Sequence, residues 1–364
     1  MVNLLGKETT ALKTIKQSLD DNLNIIASDS RLKTISDKIA DSRYRIKDLS
    51  TVTANKIIFL QEIYGKIFTA PQIDNAGVVL VFDYQLDVLL TTINTGATQN
   101  TNVISYDDTY IYIPKCTNNS NQKWVYIQRY NKCSLAYVDE VLIYQYLGTL
   151  SNSANIFGIV ENGSYLYVAS VESTESGNKH KIRKLNKSNL TTASYVEDLA
   201  SYNLVKGTNG FYSLGSGNST YPNRVIYYDW NLNILQVFPQ TTLGANIFRV
   251  AIEKDGFLYA GNDSGVLVKY NIATNSIVAE VLVGETTAFK NIFILNDVIL
   301  FQQNLGIIRA FDLNLTFLKS WNYYNTTTQG GAFYVDKNNT IWSQNRSITN
   351  IYKKQFIDMT KDII

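Results

Sequence analysis

The sequence predicts a mainly β fold: a β-propeller of six four-stranded blades, with seven as the alternative count, preceded by an N-terminal α-helical segment. Three observations point there. Six tight turns, at Asp107-Asp108, Asn162-Gly163, Asn209-Gly210, Asp255-Gly256, Asn296-Asp297 and Asn338-Asn339, each precede an aromatic-rich strand such as TYIYIP, SYLYVAS or FLYAG. Asn-Gly and Asp-Gly pairs supply the positive φ that a two-residue hairpin needs. Six further segments, among them VFDYQL, RKLNKS, YYDWNL and RAFDLN, place an Asx residue after an apolar strand, at Asp83, Asn131, Asn186, Asp229, Asn271 and Asp312. A short Asx side chain closes such a turn by accepting from the backbone two residues on. The two kinds alternate strictly, each recurring about every 41 to 55 residues, the length of a propeller blade or slightly more.

The alternation opens with an outer hairpin at Asp83 and ends with an inner one at Asn338. Five blades are then complete, and a sixth is assembled from both ends, which removes exposed sheet edges. Ile348–Phe356 would add a third strand to the last blade and bring the count to seven.

Residues 1–68 read differently: more charged, and helical in period. Leu12, Ile15, Leu19, Asn22 and Ile26 follow 3-4 spacing, as do Leu32, Ile35, Ile39, Ser42, Ile46 and Leu49. Ile57, Leu60, Tyr64 and Ile67 continue it in a third run. Two-heptad helices are marginal alone in water, so these must pack together or on a partner. The narrow stripes, with polar Asn22 and Ser42 at seam positions, predict oligomerisation or docking through Leu12, Ile15, Leu19, Ile26, Leu32, Ile35, Ile39, Ile46 and Leu49. A small intramolecular three-helix bundle is the alternative. Residues 69–77 read as a linker, 78–347 as the propeller and 348–364 as a tail that docks as a strand or short helix.

Connections between second and third strands vary. Lys115–Gln122, Val171–His180 and Ser216–Asn223 read as long loops, whereas Asn262–Gly265 and Gln303–Gly306 are short. One side of one face is thereby built up, and loops on a rigid scaffold are where ligands are held. Candidate contact residues there are Asn118, Asn119, the Glu175-Ser176 pair, His180 and Tyr221.

The totals exclude several classes. With 33 basic and 31 acidic residues, net charge is +2, which gives no long-range field for nucleic acid. No apolar run approaches the ~20 residues of a bilayer span, and MVNLLGKETT lacks the apolar stretch of a secretory signal. Cys116 and Cys133 lie at opposite ends of neighbouring strands, which predicts two free thiols. The one histidine, His180, is flanked by Lys179 and Lys181 and reads as a surface residue, so His-based catalysis or metal binding is not expected. Nucleotide and calcium loops are absent; GNDSG at 261–265 reads as a surface turn. Asp139 and Glu140 are candidates for a hydrolytic carboxylate pair, without a motif to join them. Neither a cofactor nor a metal is expected, nor enzymatic activity. Trp230, Trp321, Tyr323 and Tyr324 could serve as stacking platforms, although strand aromatics usually pack between blades.

The repeat resembles loosely patterned propeller families of the NHL, kelch and quinoprotein kind. The resemblance spans about residues 78–345 and is architectural: the WD and Gly-His pairs of WD40 repeats are missing, and Gly330-Gly331 stands alone where kelch repeats would recur. The whole layout, helical N-terminus followed by a neutral body rich in Asn, Thr and Tyr, resembles virion structural proteins of tailed bacteriophages. That resemblance implies a fibre, baseplate or tail-tip subunit, assembled in the host cytoplasm. It would be anchored through residues 1–68 to its own copies or other virion proteins, with the propeller turned to a host glycan or protein. A bacterial propeller scaffold with a protein partner is the second reading, and a propeller glycosidase or lyase the third.

Overall fold

The computed structural model describes residues 45–48 and 57–355, except for 72–76, 85, 87, 99–102, 120–121, 148–153, 175–176, 199–200, 216–222, 244–246, 284–288, 304–306, 323–329 and 346–349. Among the described residues there are seven four-stranded sheets. After β1 (Arg45–Asp48), the first blade is β2 (Ile57–Ile63), β3 (Lys66–Pro71), β4 (Val78–Asp83) and β5 (Leu89–Asn94). The second is β6 (Ser105–Tyr106), β7 (Tyr110–Asn119), β8 (Gln122–Asn131) and β9 (Tyr137–Leu147). The third is β10 (Asn155–Asn162), β11 (Tyr165–Thr174), β12 (Gly177–Asn186) and β13 (Thr192–Asp198). The fourth is β14 (Ser201–Lys206), β15 (Gly210–Gly215), β16 (Val225–Asp229) and β17 (Ile234–Val237). The fifth is β18 (Phe248–Lys254), β19 (Phe257–Asn262), β20 (Val266–Asn271) and β21 (Ser276–Leu282). The sixth is β22 (Phe289–Leu295), β23 (Val298–Gln303), β24 (Ile307–Asp312) and β25 (Phe317–Asn322). These six blades each use consecutive strands. The closing sheet joins β26 (Gly330–Val335), β27 (Thr340–Asn345) and β28 (Asn350–Gln355) in the order β1-β28-β27-β26. The closing blade from both ends of the chain is thus present beside six continuous ones, which is the alternative count. The chain divides into two units, residues 1–46 and 47–364, and of the former only Arg45 and Ile46 are described.

The difference from the sequence expectation lies at Ile57–Ile67. This stretch, expected as a third helical run, is the β2–β3 hairpin, turned at Tyr64 (φ 53°) and Gly65 (φ 68°). A tyrosine stands where Asn or Asp usually takes positive φ, which hid the turn. Thr69–Pro71, expected to begin a linker, end β3, and Gly77 is hydrogen-bonded to Ala97 and Thr95, so the interval is the β3–β4 connection. Ile46 lies on strand β1 rather than a helix. Leu12, Ile15, Leu19, Ile26, Leu32, Ile35, Ile39 and Leu49 lie outside the described residues. The tail resolves as a strand over Asn350–Gln355.

Each second strand carries a buried aromatic at its centre: Phe68, Tyr112, Tyr167, Tyr212, Tyr259, Phe301 and Trp342. Apart from Phe68, these are the aromatics of the sequence repeat, and they fill the seams between blades. Tyr167, for example, clusters with Phe211 and Tyr228 of the next blade. Neighbouring blades cover both faces of the middle strands, so β3, β15 and β19 are buried nearly throughout instead of alternating. The ring closes where the last blade meets the first. Tyr84 donates to Asp336 (2.7 Å) and stands edge-on to Trp342, which itself donates to Asp336 (2.8 Å). Tyr334 donates to the Glu62 carbonyl at 3.3 Å.

The turns between third and fourth strands share one construction. The amides of Leu86, Leu135, Leu190, Leu232 and Leu315 bond the carbonyls of Asp83, Asn131, Asn186, Asp229 and Asp312. All five leucines have positive φ, 55° to 70°. A leucine there is strained by roughly 1–2 kcal/mol; burying the side chain offsets the strain, and Leu86, Leu190, Leu232 and Leu315 are buried. Gly210 serves a different need from the one expected. Its φ is not positive; a Cβ at that position would meet the Tyr228 carbonyl oxygen at 1.9 Å, so only glycine fits.

Candidate functional site on the built-up face

On the face opposite these turns lie the connections between second and third strands. Two of the three segments expected as long loops are strand. β7 and β8 pair in register from Tyr110↔Asn131 to Asn119↔Gln122, and β11 and β12 from Tyr165↔Asn186 to Thr174↔Gly177. Each of these strands has ten residues, against six in β3, β4, β19, β20, β23 and β24. The second and third blades thus rise as ribbons on one side of the ring.

Asn118 lies at the upper end of β7 and is fully engaged. Its side-chain amide donates to the Ala154 carbonyl (2.9 Å) and accepts from the Ala154 amide (3.1 Å), locking the β7–β8 ribbon to the entry of the third blade. Asn119 is exposed. His180, expected on an exposed loop, is half-buried within β12, paired between Val171 and Asp198. Glu175, Ser176 and Tyr221 lie outside the described residues.

Near His180 is a cluster that the sequence reading missed. The first strands of the third, fourth and fifth blades each carry a β-bulge in the same place, with Phe157, Tyr202 and Arg249 as the extra residues. A bulge re-aims a side chain. Here it brings the Phe157 and Tyr202 rings to 5.3 Å and sets the Arg249 guanidinium over the Tyr202 ring at 4.5 Å. The His180 ring is 6.2 Å from Tyr202. Asp263 holds Arg249 bidentately at 2.7–3.0 Å, and the Arg249 carbonyl accepts from Asn203 at 3.1 Å. Phe157, His180, Tyr202 and Arg249 come from four separate strands. The arrangement offers a half-buried aromatic surface with a fixed cation, suited to flat or aromatic groups.

The carboxylates proposed as a hydrolytic pair are committed elsewhere. Adjacent on β9, they project to opposite faces of the sheet. Arg129 grips Asp139 with both nitrogens and donates to the carbonyls of Lys187 (2.6 Å) and Ser188 (3.1 Å) in the next blade. Those bonds hold the Asp139 carboxyl below the usual carboxylate range. Glu140 pairs with Lys115 at 3.1 Å and accepts from Gln128 at 2.8 Å. Trp230 is no free platform: it packs 5.2 Å from Tyr167 and 5.8 Å from Phe211, and its carbonyl accepts from Tyr167 and Lys184. Tyr323 and Tyr324 lie outside the described residues. Cys116 is buried, its thiol pushed up to about 12 by desolvation; Cys133 is exposed, and both are free. Among the described residues no three His, Cys, Asp or Glu side chains converge as metal ligands.

No known protein family matches the chain, and no curated protein resembles it in sequence. Solved structures resemble it in fold. The WD40 domain of Pan2 from Neurospora crassa superposes with a TM-score of 0.60 at 10% identity, over 82% of this chain and 89% of that one. BamB from Moraxella catarrhalis gives 0.57 at 9% identity, over 82% and 84%. The computationally designed Ika8 protein gives 0.54 at 10% identity, over 85% and 98%. At such identities the likeness shows the fold alone: the chain is a β-propeller.

Proposed function

We propose that this chain is a non-enzymatic binding propeller, and that it serves as a surface subunit of a tailed-bacteriophage particle. Residues 1–68 include the attachment segment, and the built-up face is the contact surface for a host glycan or a protein. The observation that supports a contact role is the unevenness of that face. Two ribbons stand above it on one side, and His180, Phe157, Tyr202 and Arg249 gather beside them. The β2–β3 hairpin belongs to the ring, so the attachment segment ends before Ile57.

The test has two parts. Light scattering on the full chain is expected to give a defined oligomer that falls to monomer when Leu12, Ile15 and Leu19 are all changed to Ser. A full-length monomer would contradict self-assembly and leave the scaffold reading. Fluorescently labelled chain is expected to bind host cells, with at least tenfold loss in His180→Ala and Tyr202→Ala. Undiminished binding by both variants would remove the face from the reading.

A further inference from the structure

The described ring also holds a cleft of about 650 Å3 on its outer wall, between the first two blades. That volume lies within the ~300–1,000 Å3 of small-molecule sites. Its wall from the first blade is hydroxyl- and amide-rich, with Thr91, Thr92 and Asn94 of the outermost strand β5. Its floor and far wall come from β7, β8 and β9: Lys115, Gln128, Tyr130, Tyr137 and Glu140.

The floor is a built polar network. Gln128 is 4% exposed; its amide nitrogen donates to the Thr95 carbonyl (3.1 Å) and to Glu140 (2.8 Å), and its oxygen accepts from Tyr130 (3.0 Å). Burial pushes the Tyr130 hydroxyl up to about 12, so it stays a donor. Glu140 and Lys115 pair, with both carboxylate oxygens within 3.2 Å of the ammonium, and both side chains remain partly open to the cleft. A carboxylate offers about four lone-pair sites and an ammonium three donors, so each has capacity left after the pair is made. Above them Tyr137 stands 53% exposed, braced edge-on against Tyr130 at 5.7 Å and 74°.

Among the six blades built from consecutive strands, the register shows this trio in one alone. The positions matching Gln128, Tyr137 and Glu140 are Leu80, Leu89 and Thr92 in the first blade, and Arg183, Thr192 and Tyr195 in the third. They are Ile226, Ile234 and Val237 in the fourth, Val268, Ile277 and Glu280 in the fifth, and Arg309, Phe317 and Ser320 in the sixth. The repeat needs none of these three residues for its blades, and their conjunction coincides with the cleft.

We propose that this cleft is a binding site for a neutral pyranose sugar. Adjacent hydroxyls of a pyranose both donate and accept, which matches a carboxylate beside an ammonium. Its apolar C–H face matches the exposed ring of Tyr137. Because Lys115 and Glu140 neutralise each other, the lining offers no net charge to favour an anionic or a cationic ligand. The site lies on the blade wall and does not depend on the ring-face reading, so either can fail alone.

The test is saturation-transfer NMR on the full chain with methyl β-glucopyranoside, methyl β-galactopyranoside and N-acetylglucosamine, beside the anionic N-acetylneuraminic acid and the cationic glucosamine. At least one neutral sugar is expected to bind. Its Kd should rise at least tenfold in Tyr137→Ala and stay within twofold in Tyr195→Ala, an exposed tyrosine on the next blade. Thr92→Val, an exposed change that leaves the network intact, should weaken binding severalfold and serves if Tyr137→Ala fails to fold. Absence of binding by all three neutral sugars, preference for a charged sugar, or equal binding by wild type, Tyr137→Ala and Thr92→Val would each overturn the proposal.

Discussion

The two faces of the ring are built by different rules. On the turn face, blade after blade repeats one device, an Asx residue followed by a leucine or asparagine in the left-handed region. The same face is stitched by polar contacts between blades: Lys187 with Asp107 (2.9 Å), Lys206 with Glu161 (2.7 Å), Tyr212 with Glu253 (2.7 Å) and Lys254 with Asp297 (2.5 Å). On the opposite face, strand ends differ in length from blade to blade, and among the described residues the bonds of Asn118 with Ala154 and of Arg249 with Asp263 are each made in one blade. The repeat is therefore held where backbone geometry demands it. It is free to vary where only the contents of the surface are at stake.

Substitutions on the two faces test this contrast, and the seam aromatics should give the largest effect. Trp342→Ala removes a fully buried ring, an indole donor to Asp336 and an edge contact with Tyr84. Losses of about 3–5 kcal/mol are typical of such truncations, and denaturant unfolding should show a lower midpoint with the slope unchanged. Next come the turn carboxylates. Asp229 accepts from the amides of Asn231 and Asn233 at 2.8 Å and from the Asn233 side chain at 2.9 Å. Asp229→Ala should cost about 1–2 kcal/mol by the same assay.

Acid should act through the same face. Burial alone would raise the Asp107 carboxyl, but Lys187, the amides of Tyr110 and Thr109 and the Tyr112 hydroxyl outweigh it and hold it down at about 2. A folded-state value below the ordinary 3.8 means that this contribution is complete above that pH and is lost as pH falls toward 2. Asp107→Asn should flatten that part of the acid limb and leave the neutral-pH slope alone. The smallest effect belongs to the other face: Asn119→Ala, at an exposed strand end, should stay within about 0.5 kcal/mol.

How much of this was legible follows the same division. The aromatics of TYIYIP, SYLYVAS and TIWSQ and the Asx residues of the outer turns were readable, because seam packing and turn closure leave residue types behind. The first blade was hidden at Tyr64-Gly65, where a tyrosine bears positive φ, and apolar spacing over Ile57–Ile67 fitted a helix as well as two buried strands. The ribbons of β7/β8 and β11/β12 read as loops because Asn, Gly and Lys, which are depleted in strands, cluster at their ends. Phe157, Tyr202 and Arg249 could not be joined from sequence, since each reaches the cluster through a bulge. Glu140 was readable as a carboxylate, but Gln128 and Tyr137 join it only through the register of β8 and β9.

Native-state hydrogen exchange tests the contrast of faces most directly. The Leu232 and Leu315 amides, bonded at 3.1 Å within the turns, should exchange as slowly as the middle strands, through global opening. Amides at the Asn119–Gln122 end of the β7–β8 ribbon should exchange much faster, through local opening. Equal protection at the two faces, or faster exchange at the leucine turns, would contradict a ring held together on one side and left free to vary on the other.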